Sequence, residues 1–417
     1  MASLQKLFEE TVADKNGLPT VTATAVDKNG KTIFHKTAGR QSSKDDTPIH
    51  PEAIYWLGSI SKLITTVAVL QAIERGLFGL DDDITKILPE LKDSAVITLS
   101  EPFNPMDPAD QAKLAPGGKL PSLTEKKREG IVTVRHLLTH TSGMAYDIFD
   151  PAAIVWLASR GEKSKIPACD LAQLIPQPLS FEPGTSWSYG HGFEWAGEMV
   201  ARANNTSLET YLKDNILAPL GLSSTTFRIW EHPELEARET EMYLRTPEGP
   251  AIGVSNLPEI PQLGGYPTPR PAPSDMGGLG LFGSVSDFIA ILGDLVSEKP
   301  RLLSAKSADS IFASQLSPGS SSLKALGANA PIWGLMAGIA GDEAPKVGFG
   351  LGGVLTLEDT TSLPKGTLAW GALPNMTWFA NRERGVAGIF ATHVVPFGDK
   401  PAGELAAKFK DVAFGKA

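Results

Sequence analysis

The chain has 417 residues, of which 42% are hydrophobic and 20% charged, so it can bury a large core and has the composition of a globular protein. Its formal net charge of −9 gives no electrostatic reason to bind nucleic acid, and no apolar run approaches the roughly 18 residues of a membrane span. The charged N-terminal stretch lacks the apolar segment of a signal peptide, and the single cysteine, Cys169, excludes an intrachain disulfide, so we expect a cytoplasmic protein.

The N-terminal quarter predicts a β-hairpin followed by a buried helix. Over residues 18–40, TVTATAV and TIFHKTAG alternate in polarity and flank the turn sequence DKNGK. A strand-like segment, AIYWLG, then leads into a helix that begins at Ser59 and stops near Gly76. Its apolar residues recur at helical spacing and are Ile60, Leu63, Ile64, Val67, Leu70 and Ile73.

The middle of the chain predicts a helical region bounded by irregular stretches. Residues 101–127 are rich in Pro, Gly and Lys and indicate a long surface loop, whereas 131–230 are mostly helical in pattern. Residues 257–275 contain too many prolines for regular structure. They precede a helix in GSVSDFIAILGDLVSE, with Ser284 or Ser286 as its N-cap.

The C-terminal quarter returns to strands, in GTLAWGA, MTWFANRERG and VAGIFATHVV, before a final amphipathic helix. Strands at both chain ends and helices between them favour one sheet built from both termini, with a helical lobe inserted. We therefore expect a discontinuous α/β domain over 1–85 and 280–417, and a mostly helical domain with long loops over 86–279.

Several common motifs are absent or out of context. The sequence contains neither G-x-S-x-G nor H-E-x-x-H, and its seven histidines are scattered. G-x-G-x-x-G occurs at 278–283 and 348–353, but neither copy lies between a strand and a helix of a βαβ unit. We expect neither a metal nor a cofactor.

The string S-x-x-K occurs four times, and its context singles out Ser59–Lys62. Only this copy begins a long apolar helix after a strand-like segment, and its spacing places both side chains on one helix face. The amide of Ser59, in the first helical turn, is free to donate to an oxyanion. A serine cap beside a solvated lysine is the structural alternative.

Two later segments are candidates for the same site. Tyr189 and His191 lie in a small-residue loop before a helix, where the tyrosine can relay protons and the histidine can contact substrate. In LAWGALPN, Gly371 and Ala372 are small enough to let a substrate carbonyl approach backbone amides. Core packing and an ordinary sheet edge are the alternatives.

Taken together and in this order, the S-x-x-K helix, the Y-G-H loop and the W-G-A strand resemble the serine β-lactamase and penicillin-recognising family. The segments VTVRHLLTHTSGM and GGLGLFGSVSDFIAIL are similar to the same family, and the resemblance covers roughly residues 15–400. It is closest to the class C-like carboxylesterase branch. It implies the β-lactamase/transpeptidase-like fold, a central antiparallel sheet from both termini flanked by helices.

The resemblance also implies roles for individual residues. Ser59 is the expected nucleophile, and Lys62 with Tyr189 the expected base system. The amides of Ser59 and Leu373 are the expected oxyanion hole. An acyl-Ser59 intermediate then passes its acyl group to water, in an esterase, or to an alcohol, in an acyltransferase.

The sequence departs from the family pattern at two positions. Trp370, Gly371 and Ala372 stand where β-lactamases and peptidases carry K-T-G, so we expect little or no β-lactam hydrolysis. His191 replaces the usual asparagine, which puts the amide-binding role of that position in doubt. Ester chemistry is therefore favoured over β-lactamase or peptidase activity, and over an inactive binding module.

The substrate is expected to be a small, uncharged ester such as a secondary-metabolite ester, together with an acyl donor or alcohol acceptor. Tyr146, Phe149, Trp370 and the loop around Tyr266 are candidates to line an aromatic pocket for it. Core packing is the alternative for these aromatic residues. No nucleic acid or membrane partner is expected, and a monomer is compatible with the sequence.

Overall fold

The computed structural model describes residues 2–45, 47–175, 177–257, 268–339 and 346–416. The α-helices in these ranges are α1 (Ala2–Ala13), α2 (Ser61–Glu74), α3 (Pro108–Lys113), α4 (Val134–Leu138), α5 (Pro151–Ser159), α6 (Gly192–Ala203), α7 (Leu208–Leu212), α8 (Ala218–Leu220), α9 (Pro233–Glu236), α10 (Val285–Val296), α11 (Ala305–Ile311), α12 (Ser321–Ala328), α13 (Ala330–Ala337) and α14 (Lys400–Ala413). The strands are β1 (Thr20–Asp27), β2 (Thr32–Gly39), β3 (Ile54–Trp56), β4 (Ala95–Leu99), β5 (Leu123–Lys127), β6 (Thr225–Thr226), β7 (Tyr243–Arg245), β8 (Ala251–Gly253), β9 (Phe282–Ser284), β10 (Val347–Phe349), β11 (Val354–Thr356), β12 (Thr367–Ala372), β13 (Met376–Asn381), β14 (Val386–Ala391) and β15 (Val394–Val395).

One antiparallel sheet, with strand order β10-β11-β12-β13-β14-β1-β2, joins the two ends of the chain. The N-terminal hairpin β1–β2 pairs through β1 with the C-terminal strand β14, which places Thr22 opposite Ala391. The expectation of one sheet from both termini is thus confirmed. The sequence pattern does not reveal β10 and β11, because each has only three residues and a glycine-rich turn separates them.

Helices α1, α10 and α14 pack against the strands of this sheet, and the region between β3 and β9 is mostly helical. Helix α10 begins where the sequence predicts, with Ser284 as its N-cap: the hydroxyl accepts a hydrogen bond from the amide of Asp287. The expected arrangement of a terminal sheet with a helical insertion is therefore confirmed, whereas domain boundaries at 85 and 280 stay a prediction.

The prediction of a single surface loop over 101–127 is wrong, because this stretch contains α3 and β5. Asp107 caps α3 by accepting from the amide of Ala109. Strand β5 pairs with β4, whose Ile97 also donates a backbone hydrogen bond to Leu179. The sequence of β5, LTEKK, has no apolar alternation, so its pairing with β4 and not a hydrophobic face makes it a strand.

Helix α2 runs through the core, since every residue from Ser61 to Ala72 is buried. A helix that is buried on all sides is typical of the centre of a large domain. The sequence predicts a start at Ser59, but a 3₁₀ turn over Gly58–Ile60 comes first and the α-helix begins at Ser61. Gly58 has φ +49°, which allows the sharp turn from β3 and places Ser59 between strand and helix.

Candidate active site

Ser59 and Leu373 line the same narrow cavity, although they come from opposite ends of the chain. Ser59 lies in the turn before α2, and Leu373 follows the last residue of β12. Within the described residues, neither backbone amide has a hydrogen-bond acceptor. The cavity is thus bordered by two residues whose amides are free to donate to a negatively charged oxygen.

Lys62 stands one helical turn after Ser59, and its side chain is almost fully buried, with 1% of its surface exposed. Its Nζ donates to the Gly278 carbonyl at 2.7 Å and to Tyr146 Oη at 3.2 Å, and lies 3.5 Å from Ser59 Oγ. These contacts use all three hydrogens of the ammonium group. The alternative of a solvated lysine beside a serine cap is therefore excluded by burial.

Tyr189 reaches the same serine from the loop before α6. Its Oη donates to Ser59 Oγ at 2.6 Å, and Lys62 Nζ lies 4.8 Å from the centroid of its ring. The loop is fixed because the Tyr189 carbonyl accepts from the amide of Tyr146 at 3.0 Å. The structure thus brings Ser59, Lys62 and Tyr189 together as the sequence predicts.

Tyr146 connects this group to Glu194, a residue that the sequence reasoning missed. Tyr146 Oη donates to Glu194 Oε1 at 2.7 Å, and the Glu194 side chain is almost fully buried in α6. Burial raises the pKa of the Glu194 carboxyl above its usual range, and the charge of Lys62 opposes this rise. Burial, with the neighbouring carboxylate, raises the pKa of Tyr146 well above that of an exposed tyrosine, so Tyr146 stays protonated and donates.

Trp370 lies behind Tyr189 and does not line the cavity among the described residues. It is fully buried, and its ring centroid is 5.3 Å from that of Tyr189 and 6.2 Å from that of His140. The ring of His140 lies 4.8 Å from Tyr189 on another side. Trp370 therefore supports Tyr189 by packing, where the sequence suggests a wall of the substrate pocket.

His191 is buried and likewise absent from the described lining of the cavity. Its ring lies 6.3 Å from that of Tyr146, and neither ring nitrogen has a hydrogen-bond partner within the described part of the chain. Burial lowers the pKa of His191 to about 4, so the ring is neutral at physiological pH.

Gly371 and Ala372 position the end of β12 against its neighbours. A Cβ at Gly371 would lie 2.0 Å from the carbonyl oxygen of Met336 in α13, so only glycine lets this helix approach the strand. The side chain of Ala372 lies close to Gly58. Small residues at these two positions thus bring β12 against both α13 and the turn that contains Ser59. The space that the small side chains leave is filled by α13 and by this turn.

Apart from Ser59 and the two tyrosines, the described lining of the cavity is apolar. The cavity has a volume of about 40 Å³, and its apolar lining residues are Ile148, Phe149, Ile166, Leu279, Met336, Leu373 and Phe397. Tyr266, a candidate from the sequence, lies outside the described residues. Phe149 is a sequence candidate that the structure places at the cavity.

Sequence reasoning missed Glu194 and five residues that line the cavity, which are Ile148, Ile166, Leu279, Met336 and Phe397. Glu194 carried a signal, since a carboxylate between Phe193 and Trp195 on an apolar helix is unusual and needs a buried partner. Met336 and Phe397 carried none, because they reach the cavity through the packing of α13 and of the loop after β15.

Over the described ranges, no group of three or more His, Cys, Asp or Glu side chains is arranged to hold a metal ion. None of the helices described combines the length and the apolar composition that a bilayer crossing requires.

Comparison with known families gives a match along almost the whole chain. The profile of the family described as Beta-lactamase matches residues 4–410. Among proteins of known activity, the chain is similar to the acyltransferase calJ of Penicillium decumbens, at 34% identity over 91% of this chain and 85% of that protein. It is also similar to a lovastatin esterase of Penicillium rubens, at 31% identity over 89% and 88% of the two chains.

Comparison with solved structures points to the same group of proteins. The unliganded structure of simvastatin synthase from Aspergillus terreus superposes with a TM-score of 0.81 at 26% identity, covering 100% of this chain and 98% of that one.

Proposed function

The chain belongs to the beta-lactamase family and is an enzyme of its acyltransferase and carboxylesterase branch, and we propose that Ser59 is the nucleophile with which it attacks carboxylic esters. The observation that carries this proposal is the convergence of Tyr189 Oη and Lys62 Nζ on Ser59 Oγ, at 2.6 Å and 3.5 Å. A nucleophile within hydrogen-bonding reach of a base, itself held by further groups, is the arrangement that covalent catalysis requires.

The Tyr189–Lys62 pair acts as a base after it has lost one proton to solvent. In the first half-reaction, Ser59 Oγ attacks the ester carbonyl carbon while its proton passes to this deprotonated pair. The carbonyl double bond becomes a single bond to a negatively charged oxygen. When this intermediate collapses, the bond to the alcohol oxygen breaks. The departing oxygen takes the proton back from Tyr189, and the acyl group stays on Ser59.

The amides of Ser59 and Leu373 are proposed to stabilise the negative oxygen. Their lack of acceptors within the described residues supports this role, because a preorganised donor does not have to give up another hydrogen bond. Each such donor contributes about 3 kcal/mol to transition-state stabilisation in comparable sites.

In the second half-reaction, water or a second alcohol attacks the acyl-Ser59 carbonyl. The Tyr189–Lys62 pair accepts the attacking proton and returns it to Ser59 Oγ as the acyl–serine bond breaks. Water gives the free acid, and an alcohol gives a new ester, so the same residues serve hydrolysis and acyl transfer.

The substrate is proposed to be a small, uncharged secondary-metabolite ester. Two observations support this class: the apolar lining beside Ser59, and the names of the relatives, a lovastatin esterase and a simvastatin synthase. The replacement of K-T-G by Trp370-Gly371-Ala372 speaks against β-lactams, because no lysine stands there to bind a carboxylate.

Acyl transfer to an alcohol is the second candidate, favoured by the name of the acyltransferase relative. A catalytically inactive binding module is disfavoured, because Lys62 is buried against its partners at a cost that an inactive protein has no need to maintain. The lone buried cysteine supports the proposed cytoplasmic location.

The test is to treat the full chain with a serine-directed fluorophosphonate and with an activated ester, and then to measure the intact mass and map the adduct. We expect one adduct on Ser59 and none in Ser59→Ala. Ser61→Ala is the matched control, since Ser61 is buried and its hydroxyl oxygen accepts from the backbone amide of Leu281 instead of lining the cavity. Labelling of Ser59→Ala, or no labelling of the native chain at millimolar reagent, contradicts the proposal.

The decay of the acyl-enzyme separates the two reactions. If hydrolysis dominates, the acyl group is lost at one rate whatever alcohol is added. If transfer dominates, decay accelerates with the concentration of a suitable alcohol, and the new ester is the product.

A further inference from the structure

Phe397 separates the reactive cavity from a second, larger groove. Phe397 lines the cavity together with Ser59 and Leu373, and it also lines a groove of about 370 Å³. That groove contains polar groups as well, from Thr246, Asp399 and Lys400. A single aromatic residue thus stands between the nucleophile and a space about nine times the volume of the cavity.

The backbone on both sides of Phe397 is held by Asn375, in the turn that follows β12. Asn375 Nδ2 donates to the carbonyls of Val394 and Pro396, each at 2.7 Å. Its Oδ1 accepts from the amides of Gly398 and Asp399, at 2.8 and 3.0 Å. One side-chain amide therefore ties the Phe397 loop to the turn that carries Leu373.

The ring of Phe397, in contrast, is held only by packing. It is half-buried, and its centroid lies 6.5 Å from that of Phe149 in an edge-on arrangement. A phenyl ring on a fixed backbone can change rotamer without disturbing the loop. The residue shared by cavity and groove is thus one aromatic side chain that packing alone holds in place.

The position of Tyr189 indicates which half of an ester lies on this side. Under the proposed mechanism, Tyr189 returns the proton to the alcohol oxygen, so that oxygen must lie within hydrogen-bonding distance of it. The rings of Tyr189 and Phe149 are 5.9 Å apart, and Phe149 in turn contacts Phe397. The row of rings therefore leads from the leaving oxygen toward the groove.

The volumes support the same assignment. A cavity of about 40 Å³ has room for two or three water molecules, so the reacting ester group fills most of it. A bulky alcohol therefore needs space outside the cavity, and the groove that Phe397 also lines offers about 370 Å³. The exposed ammonium of Lys400 and the hydroxyl of Thr246 are groups that hydrogen-bond to hydroxyl substituents.

We propose that the groove beyond Phe397 binds the alcohol part of the ester, a bulky hydroxylated alcohol, and that Phe397 determines which alcohols reach it. The groove holds the leaving alcohol in hydrolysis and the acceptor alcohol in transfer. This inference rests on the proposed function, since it assigns the alcohol by the proton that Tyr189 returns.

The experiment measures kcat/KM for two ester series with the full-length protein. The alcohol series is ethyl, cyclohexyl and 6-glucosyl butanoate, and the acyl series is ethyl acetate, butanoate and octanoate. In Phe397→Ala we expect kcat/KM for the glucosyl ester, relative to the ethyl ester, to rise roughly tenfold. The ratios within the acyl series stay within about twofold of the native ones.

Two further variants test the groove and its clamp. Lys400 lines the groove and not the cavity, so in Lys400→Ala the KM for the glucosyl ester should rise a few-fold relative to the KM for ethyl butanoate. Asn375→Gly keeps the left-handed backbone of Asn375, φ +56°, but removes all four hydrogen bonds. Asn375→Gly should raise kcat/KM for the glucosyl ester relative to the ethyl ester, as Phe397→Ala does but by a smaller factor. Its kcat should fall by a smaller factor than this ratio changes.

Leu335→Ala is the matched control, since this leucine is 55% exposed near Gly398 and lines neither space. A change confined to the acyl series would show that Phe397 borders the acyl group and would overturn the proposal. Unchanged ratios in Phe397→Ala, with native hydrolysis of ethyl butanoate intact, would overturn it while leaving the proposed function standing. Failure of the proposed function itself appears separately, as a native chain without an adduct on Ser59.

Discussion

The two walls of the reactive cavity differ in what holds their side chains. The inner wall is a chain of hydrogen bonds in which each member contacts the next, in the order Tyr189, Ser59, Lys62, Tyr146 and Glu194. Ser59 and the two tyrosines line the cavity, and Lys62 and Glu194 lie behind them. The outer wall, formed by Ile148, Phe149, Met336, Leu373 and Phe397, is apolar and depends on side-chain packing.

Hydrogen bonds have fixed lengths and directions, whereas contacts between apolar side chains are non-directional and tolerate rearrangement. The difference teaches that the chemistry and the choice of substrate are separable in this protein. Changes in the inner wall should lower the rate for every ester by a similar factor. Changes in the outer wall should instead alter the rates for different esters by different factors.

The largest effect is expected from removing the base system of the inner wall. Tyr189→Phe and Lys62→Met each remove a group that contacts Ser59 Oγ while keeping most of the side-chain volume. General base catalysis contributes roughly 10²- to 10⁴-fold, so kcat should fall within that range for both variants. Steady-state kinetics on ethyl and cyclohexyl butanoate provide the measurement.

The comparison of the two walls makes this prediction specific. Both esters should lose activity by the same factor, since neither side chain contacts the variable part of the substrate. Circular dichroism and thermal unfolding should show that both variants fold. Near-native rates in either would remove that residue from the base system, and unequal losses would break the separation of the walls.

The inner wall was largely predictable from the sequence, and the outer wall was not. Ser59 and Lys62 share a helix turn, and Tyr189 lies in a recognisable loop, so local spacing and resemblance identify them. Phe397 and Met336 come from a loop and from a helix that reach the cavity only through tertiary packing. The periodicity of apolar residues in the sequence does not indicate such tertiary contacts.

The same difference between local signals and tertiary packing explains which elements of the fold could be predicted from the sequence. The hairpin β1–β2 and the helix α10 have strong local signals, an alternating pattern and a serine cap, and both appear as predicted. Strand β5, LTEKK, is mostly charged and exposed and owes its conformation to pairing with β4. Trp370 was placed on the correct strand, but its burial behind Tyr189 follows from its packing against the rings of Tyr189, His140 and Phe349, which the sequence does not bring together.

A smaller effect, about tenfold on kcat/KM, is expected from Glu194→Gln, because Glu194 acts on Ser59 only through Tyr146 and Lys62. The pH profile distinguishes this positioning role from a structural one. Since burial raises the pKa of Glu194, the carboxylate takes up a proton at a higher pH than an exposed glutamate does. As the pH falls, native kcat/KM should therefore decline above the pH expected for an ordinary carboxyl, and this limb should be absent in Glu194→Gln.

Glu209→Gln is the matched control for this limb. Burial also raises the pKa of Glu209, but its carboxylate accepts from the amide of Phe227 and does not line the cavity. Its variant should keep the native acidic limb. A Glu194→Gln profile that superposes on the native one would remove Glu194 from the inner wall as a functional residue.

Gly371→Ala tests the contact between the two walls, and its effect falls mainly on stability. The new methyl group would lie 2.0 Å from the Met336 carbonyl, so α13 must shift, and overpacking of this kind costs about 1–3 kcal/mol. Thermal unfolding should show a lower Tm. Gly327→Ala, in α12 with no atom within 4 Å of the new group, is the control and should not lower Tm.

Because Met336 belongs to the outer wall, Gly371→Ala should also change the ratio of cyclohexyl to ethyl butanoate. The rate on ethyl butanoate itself should fall only a few-fold, since the contacts among Ser59, Lys62 and Tyr189 do not involve α13. If Gly371→Ala lost as much activity on ethyl butanoate as Tyr189→Phe does, the position of β12 would affect catalysis itself. The two walls would then not have separate effects.

The smallest effect is expected at His191, which lies near the inner wall without joining its hydrogen bonds. Its pKa of about 4 means that it stays neutral from pH 5 upward, so it contributes no ionisation to the kcat/KM profile in that range. Since both ring nitrogens lack partners within the described residues, His191→Asn removes no hydrogen bond that the inner wall depends on. The profile of His191→Asn between pH 5 and 9 should therefore be parallel to the native one and within about threefold of it. A histidine that binds the substrate directly would give a rise in KM for every ester, and that outcome would move His191 into the inner wall.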